Sequence, residues 1–168
     1  METAPTPSTD ADTRAPTTPA LERASRRAHP QRLPRALGDG RVEVDATWGI
    51  VQPMRLAEGV ETVGELELIA HLRAGGPLID TRLAEHVIAG TIPGARAIPH
   101  TELATRLDEI DPDRPTVLFC NGPQCPATPD AVRILLAAGR RPATILYYRG
   151  GIHDWVTLGF PLSVASPS

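Results

Sequence analysis

Two unbroken apolar runs constrain this chain more than any other feature: TVLFC, Thr116 to Cys120, and ATILYY, Ala143 to Tyr148. Neither run alternates polar with apolar residues, so a strand built from either has no face left for water. Strands of that kind are buried on both sides, the condition of a parallel sheet covered by helices. TVLFC enters from the helix-breaking DPDRP and leaves into the turn-rich NGPQCPA, so turn signals bound it at both ends.

The segments between the runs read as helices. Thr62-Val63-Gly64-Glu65 has the form of a capping box that opens a helix, with Leu66, Ile69 and Leu72 as its apolar face and Gly75-Gly76 as its end. PLIDTR follows as a short strand with polar residues at its close, and a further short strand is expected at Ala95 to Ile98. TELATRLDEI puts Leu103, Leu107 and Ile110 on one helical face. Thr128-Pro129-Asp130 reads as an N-cap, a proline in the first turn and an acid at the positive end of the dipole, with Val132, Leu135 and Leu136 buried and Gly139 as the stop. GGIHDWVTLGFP gives a final turn and short helix. Strands alternating with helices predict an α/β fold, a parallel sheet with helices on both faces. Ligands of such sheets bind beyond the carboxyl ends of the strands, where Asp80-Thr81-Arg82, Cys120 and Arg149 stand.

The chain has 168 residues, enough for one domain of about 110 to 120 residues and a tail. Residues 1–45 read as a disordered tail: they hold 6 of the 18 prolines, and their 7 acidic and 7 basic residues cancel. Residues 46–61, with WGIVQP, read as an extended arm, and residues 62–163 as the domain. A net charge of -3 argues against nucleic acid or a polybasic membrane anchor as partner and leaves small molecules or proteins. No apolar stretch reaches the roughly 18 residues of a membrane span, and the N-terminus has no secretory apolar core. The expected location is the cytoplasm.

Both cysteines lie in FCNGPQC. Cys120 closes a buried strand and opens a loop leading to a helix start, where unpaired amides favour a thiolate. Gly122 gives that loop the freedom to wrap its N–H groups around a sulfur. Three other readings compete: a buried, inert cysteine; a metal half-site, which lacks two further ligands; and a disulfide to Cys125. His71 is expected on a solvent face and His29 in the tail, while His86, His100 and His153 read as structural or solvated. Trp155 and Phe160 read as core.

Four segments in order resemble the rhodanese-like family of single-domain sulfurtransferases: LIDTR at Leu78 to Arg82, AGTIPGARAIP at Ala89 to Pro99, VLFCNGPQC at Val117 to Cys125, and YRGGIHDWVTLGFP at Tyr148 to Pro161. The resemblance implies a doubly wound parallel sheet and a persulfide-forming nucleophile at Cys120. It also implies a substrate-cradling loop of Asn121, Gly122, Pro123, Gln124 and Cys125, with Asp80 and Arg82 as strand-end support. The implied reaction takes sulfane sulfur from a small donor to a thiol or cyanide-like acceptor, with no metal or other cofactor. A thiol redox protein using Cys120 and Cys125, or a weakly catalytic binding module with a protein partner, are the alternatives. A phosphatase or arsenate reductase is disfavoured because the residue six places after Cys120 is Pro126 rather than arginine.

Two positions depart from the family pattern. CNGPQC holds no charge, and Cys125 stands where a basic residue is common, so Arg149, then Arg82, becomes the expected source of positive charge. Thr91 replaces the usual histidine before IPG, a change expected to be harmless.

Overall fold

The structure is a computed structural model that describes residues 35–43 and 50–164. Its centre is a five-stranded parallel sheet of order β4-β8-β7-β5-β6, built from β4 (Glu61–Val63), β5 (Leu78–Asp80), β6 (Arg96–Ala97), β7 (Thr116–Phe119) and β8 (Ile145–Tyr148). The two apolar runs are the adjacent central strands β7 and β8, paired from Thr116 with Ile145 to Phe119 with Tyr148. Their side chains divide between two cores. Leu118 and Tyr147 join Val60, Ile79 and Ile98 beneath α3 (Ala127–Ala137), packing on Ala131, Val132 and Leu135. Val117, Phe119 and Tyr148 point to the opposite face, with Leu68 of α1 (Glu65–Arg73) and Trp155 of α4 (Gly151–Thr157). The short α2 (Ala84–Val87) follows β5. Among the described residues, no helix is long and apolar enough to cross a membrane.

Several sequence expectations shift in detail. Residues 35–43, assigned to the tail, pair as β1 (Arg35–Ala36) and β2 (Val42–Glu43), and β3 (Ile50–Val51) from the arm completes a small antiparallel sheet. The remainder of the tail, residues 1–34 and 44–45, and residues 46–49 of the arm, with Trp48, lie outside the described residues. The capping box moves two residues on. Thr62 sits in β4, its hydroxyl donating to the Met54 carbonyl, and Gly64 caps α1 with its N–H donating to Glu67 Oε2 at 3.1 Å. Leu66 is consequently 78% exposed, and Leu68 takes the buried place on that helix.

The expected helix across TELATRLDEI is two single 3-10 turns, Leu103–Thr105 and Leu107–Glu109. Arg106 leaves helical geometry between them, and the Arg140 guanidinium donates to the carbonyls of Leu107 and Ile110 at 2.6 and 2.8 Å. The apolar pattern is still satisfied, because Leu103 and Ile110 are buried and Leu107 packs on them. Thr128 is not the cap of α3 but lies inside its first turn. His71 is not on a solvent face: its Nε2 pairs with the Pro77 carbonyl at 2.8 Å.

Candidate active site

Cys120 follows the last residue of β7 and is 1% exposed. The chain can turn sharply there because α4 holds the loop from behind: the Ile152 N–H donates to the Cys120 carbonyl at 3.0 Å and the His153 N–H to that of Asn121 at 2.8 Å. Gly151 makes this approach possible. Its φ of +59° is in the left-handed region, and a Cβ there would lie 2.4 Å from the Cys120 carbonyl oxygen.

A turn from Cys125 N–H to the Gly122 carbonyl, 3.0 Å, folds the loop back so that its two cysteines meet. The Cys120 thiol donates to the Cys125 backbone carbonyl at 3.6 Å. The neighbouring Cys120 thiol is the main reason the Cys125 thiol is pulled down to about 6; the Asn121 and Ala127 amides and the His100 charge act in the same direction, against burial. Cys120 moves the opposite way, pushed up by Cys125 and by burial, with Thr128 opposing. The sequence expected the helix-start amides to gather on Cys120. In the folded loop Asn121 and Ala127 serve Cys125, and Thr128 serves Cys120. Both sulfurs are free thiols, so the pair shares its first negative charge, centred on Cys125.

Beneath the loop, Thr81 ties three elements together. Its N–H and its hydroxyl each lie 2.9 Å from the Phe119 carbonyl, and its hydroxyl meets that of Thr128 at 2.9 Å. His100 joins from the next crossover, its Nδ1 3.1 Å from the Thr81 carbonyl. It therefore serves the site, whereas His86 and His153 are exposed.

Asp80 and Arg82 are buried and form a bidentate pair, with Arg82 Nη2 to Asp80 Oδ2 at 2.6 Å. The same guanidinium donates to the carbonyls of His86 and Gly90, and the Thr91 hydroxyl donates to Asp80 at 2.7 Å. None of these partners belongs to the cysteine loop. Arg82 is thereby removed as a source of charge for a donor, and Thr91 has a bond of its own to make.

Arg149 is held by the arm. Its Nε and Nη2 donate to the Gln52 carbonyl at 3.1 and 3.0 Å, while the Gln52 N–H donates to the Pro123 carbonyl at 2.7 Å and the Gln52 side-chain N–H to the Gln124 backbone carbonyl at 3.5 Å. Gln52 is a site residue that sequence reasoning missed, because nothing local marks a contact across 97 positions. A cavity of about 360 Å³ opens beside it, bounded by Pro53, Leu56, Pro126 and Pro129. Tyr147 was likewise read only as strand, yet its buried hydroxyl has no hydrogen-bond partner.

A family model, the rhodanese-like domain, matches residues 65–158, more than half of the chain. The chain belongs to the rhodanese-like family. Among its relatives, the HTH-type transcriptional regulator Rv0324 of Mycobacterium tuberculosis is 39% identical over 108 residues, 64% of this chain and 46% of that protein. A sulfurtransferase of Allochromatium vinosum is 31% identical over 85 residues, 51% of this chain and 76% of that one. This rhodanese-like chain thus spans just under half the length of the regulator it matches. The human single-domain sulfurtransferase TSTD1 superposes with a TM-score of 0.50 at 28% identity, covering 58% of this chain and 96% of its own. The α/β fold, a parallel sheet flanked by helices, is the one these rhodanese-like neighbours share.

Proposed function

We propose that this rhodanese-like chain is a sulfurtransferase that carries sulfane sulfur as a persulfide on Cys120. The observation that carries the reading is the placement of Cys120 at the carboxyl end of central strand β7, with its thiol donating to the Cys125 carbonyl at 3.6 Å beside a second thiol that the Asn121 and Ala127 amides acidify. Cys120 attacks the sulfane sulfur of a small donor as its proton passes to the Cys125 thiolate, which hands it on to the departing first product. A new S–S bond forms at Cys120, the donor's own bond to that sulfur breaks, and the first product departs with the electron pair. A thiol or cyanide-like acceptor next attacks the outer sulfur and Cys120 leaves as thiolate. This is covalent catalysis divided into two displacements.

Asn121 to Gln124 shape the rim of the cradle, and Arg149 is the cation closest in sequence role to the missing loop charge. Because its guanidinium is engaged by Gln52, an anionic donor competes with the arm for it. A reducing compartment such as the cytoplasm suits a site built on two free thiols. The test is intact-mass analysis after incubation with thiosulfate, a mercaptopyruvate-type donor and a small organic persulfide in turn. A gain of one sulfur that disappears in Cys120→Ser is expected; no gain with any donor would refute the reading.

The kinship with a transcriptional regulator favours a second reading, a rhodanese-like binding module with little turnover. Stoichiometric loading of Cys120 without repeated transfer to an acceptor would select it over the enzyme.

A further inference from the structure

We infer that Cys125 discharges the Cys120 persulfide by attacking its inner sulfur, closing a Cys120–Cys125 disulfide and expelling hydrosulfide. The inference rests on the persulfide reading above and adds a second fate for the sulfur.

The geometry selects the inner sulfur. The turn from the Cys125 N–H to the Gly122 carbonyl folds Cys125 back onto the nucleophile, whose own sulfur donates to the Cys125 carbonyl at 3.6 Å, so the inner sulfur is the one that lies beside Cys125. The loop therefore does not present an open, charged cradle for a dianionic donor. The Asn121 and Ala127 amides serve a second thiol instead. Such a neighbour is a competitor for any external acceptor, which must reach a nucleophile only 1% exposed. An intramolecular thiol five positions away faces no such barrier, and its effective concentration exceeds that of a free acceptor.

A second observation points to a group that the resting site does not contain. Tyr147 of β8 pairs in register with Leu118 of β7, two residues before Cys120, and both side chains lie in the core on the α3 side of the sheet. Its hydroxyl is fully buried and has no partner. Charge on either cysteine and charge on Arg149 all act on it, so it lies within electrostatic reach of the sulfur pair. An unpaired buried hydroxyl costs stability unless something fills it. A departing hydrosulfide beside Cys120 is a suitable acceptor for that O–H.

The step balances without an external oxidant. Cys125 thiolate forms the new S–S bond to the inner sulfur, the bond from that sulfur to the outer one breaks, and the outer sulfur leaves as HS⁻ with the electron pair. The sulfane sulfur is reduced by two electrons and the two cysteines are oxidised to a disulfide. A dithiol reductant is then required to reset the site.

The test compares full-length wild type, Cys125→Ser, Cys125→Ala and Cys120→Ser after mixing with a small organic persulfide, reading acid-quenched intact mass and hydrosulfide above a protein-free blank. Wild type is expected to lose two hydrogens and release one hydrosulfide per chain, while both Cys125 variants gain one sulfur and release none. Tyr147→Phe is expected to slow hydrosulfide release several-fold while loading of Cys120 proceeds unchanged. Wild type that holds the extra sulfur as long as the Cys125 variants do, with no intrachain disulfide, overturns the discharge step and leaves the transferase reading standing. Failure of all the variants that retain Cys120 to gain sulfur, with wild type unchanged, overturns both.

Discussion

The Arg149 guanidinium donates twice to the Gln52 carbonyl, at 3.1 and 3.0 Å, and so clamps the arm against the cysteine loop that Gln52 also holds. Arg149 is thereby a structural tie and a candidate anion site at once. Arg149→Ala is expected to speed amide hydrogen exchange at Gln52 and Cys125 and to raise KM for thiosulfate more than it lowers kcat with an uncharged donor. Hydrogen bonds from a charged group contribute about 1.5–3 kcal/mol, so a modest loss of stability should accompany it. Unchanged thiosulfate kinetics would remove Arg149 from donor binding.

The thiol pair predicts a pH profile. Cys125 is lowered to about 6, chiefly by the Cys120 thiol, and is half-buried, while Cys120 is raised and buried. Deprotonation of the pair therefore proceeds as pH rises through about 6, and alkylation by iodoacetamide should climb through the same range with the label on Cys125. Peptide mapping across pH 4 to 9 checks it; label appearing first on Cys120 would contradict the order. Cys120→Ser should move the Cys125 profile upward, since the strongest acidifying contact is weakened.

Gly151 carries a different prediction. Gly151→Ala places a Cβ 2.4 Å from the Cys120 carbonyl oxygen in a left-handed conformation that alone costs about 1–2 kcal/mol. The clash is with backbone on the cysteine strand, so the loop must shift. Sulfur loading should fall by at least about tenfold, with a lower thermal midpoint in the same variant; wild-type loading would show that the loop tolerates the displacement.

Asp80 and Arg82 should behave as a stability element. Removing one partner of a buried ion pair leaves an uncompensated charge and costs about 3–5 kcal/mol. Arg82→Leu and Asp80→Asn are thus expected to lower the urea midpoint sharply, and Thr91→Val, which deletes one bond to Asp80, by less. A variant that keeps stability but loses donor affinity would return Arg82 to the sulfur site.

Much of this was legible in the sequence for a physical reason. Continuous apolar runs can only be strands buried on both faces, so TVLFC and ATILYY declared the sheet centre, and the position of Cys120 at the end of one was legible with them. The helix at Leu103 to Ile110 was misjudged because the apolar spacing of a helix and of two packed 3-10 turns is the same. What favours the two turns lies 30 residues or more away, where Arg140 donates to the Leu107 and Ile110 carbonyls. Leu66 was misplaced because the core-facing stripe of α1 runs through Leu68, Ile69 and Leu72, and Leu66 stands about 200° around the helix from Leu68.

The sequence by itself determined the order of strands and helices, the burial of β7 and β8, and the position of Cys120 at a strand end, because these follow from local pattern. The tertiary structure alone decided which sulfur the amides serve, that Arg149 faces Gln52, and that the Tyr147 hydroxyl stands unpaired near the thiols. Each of those depends on groups brought together from distant parts of the chain, and their hydrogen bonds and charges exist only once the sheet has aligned them.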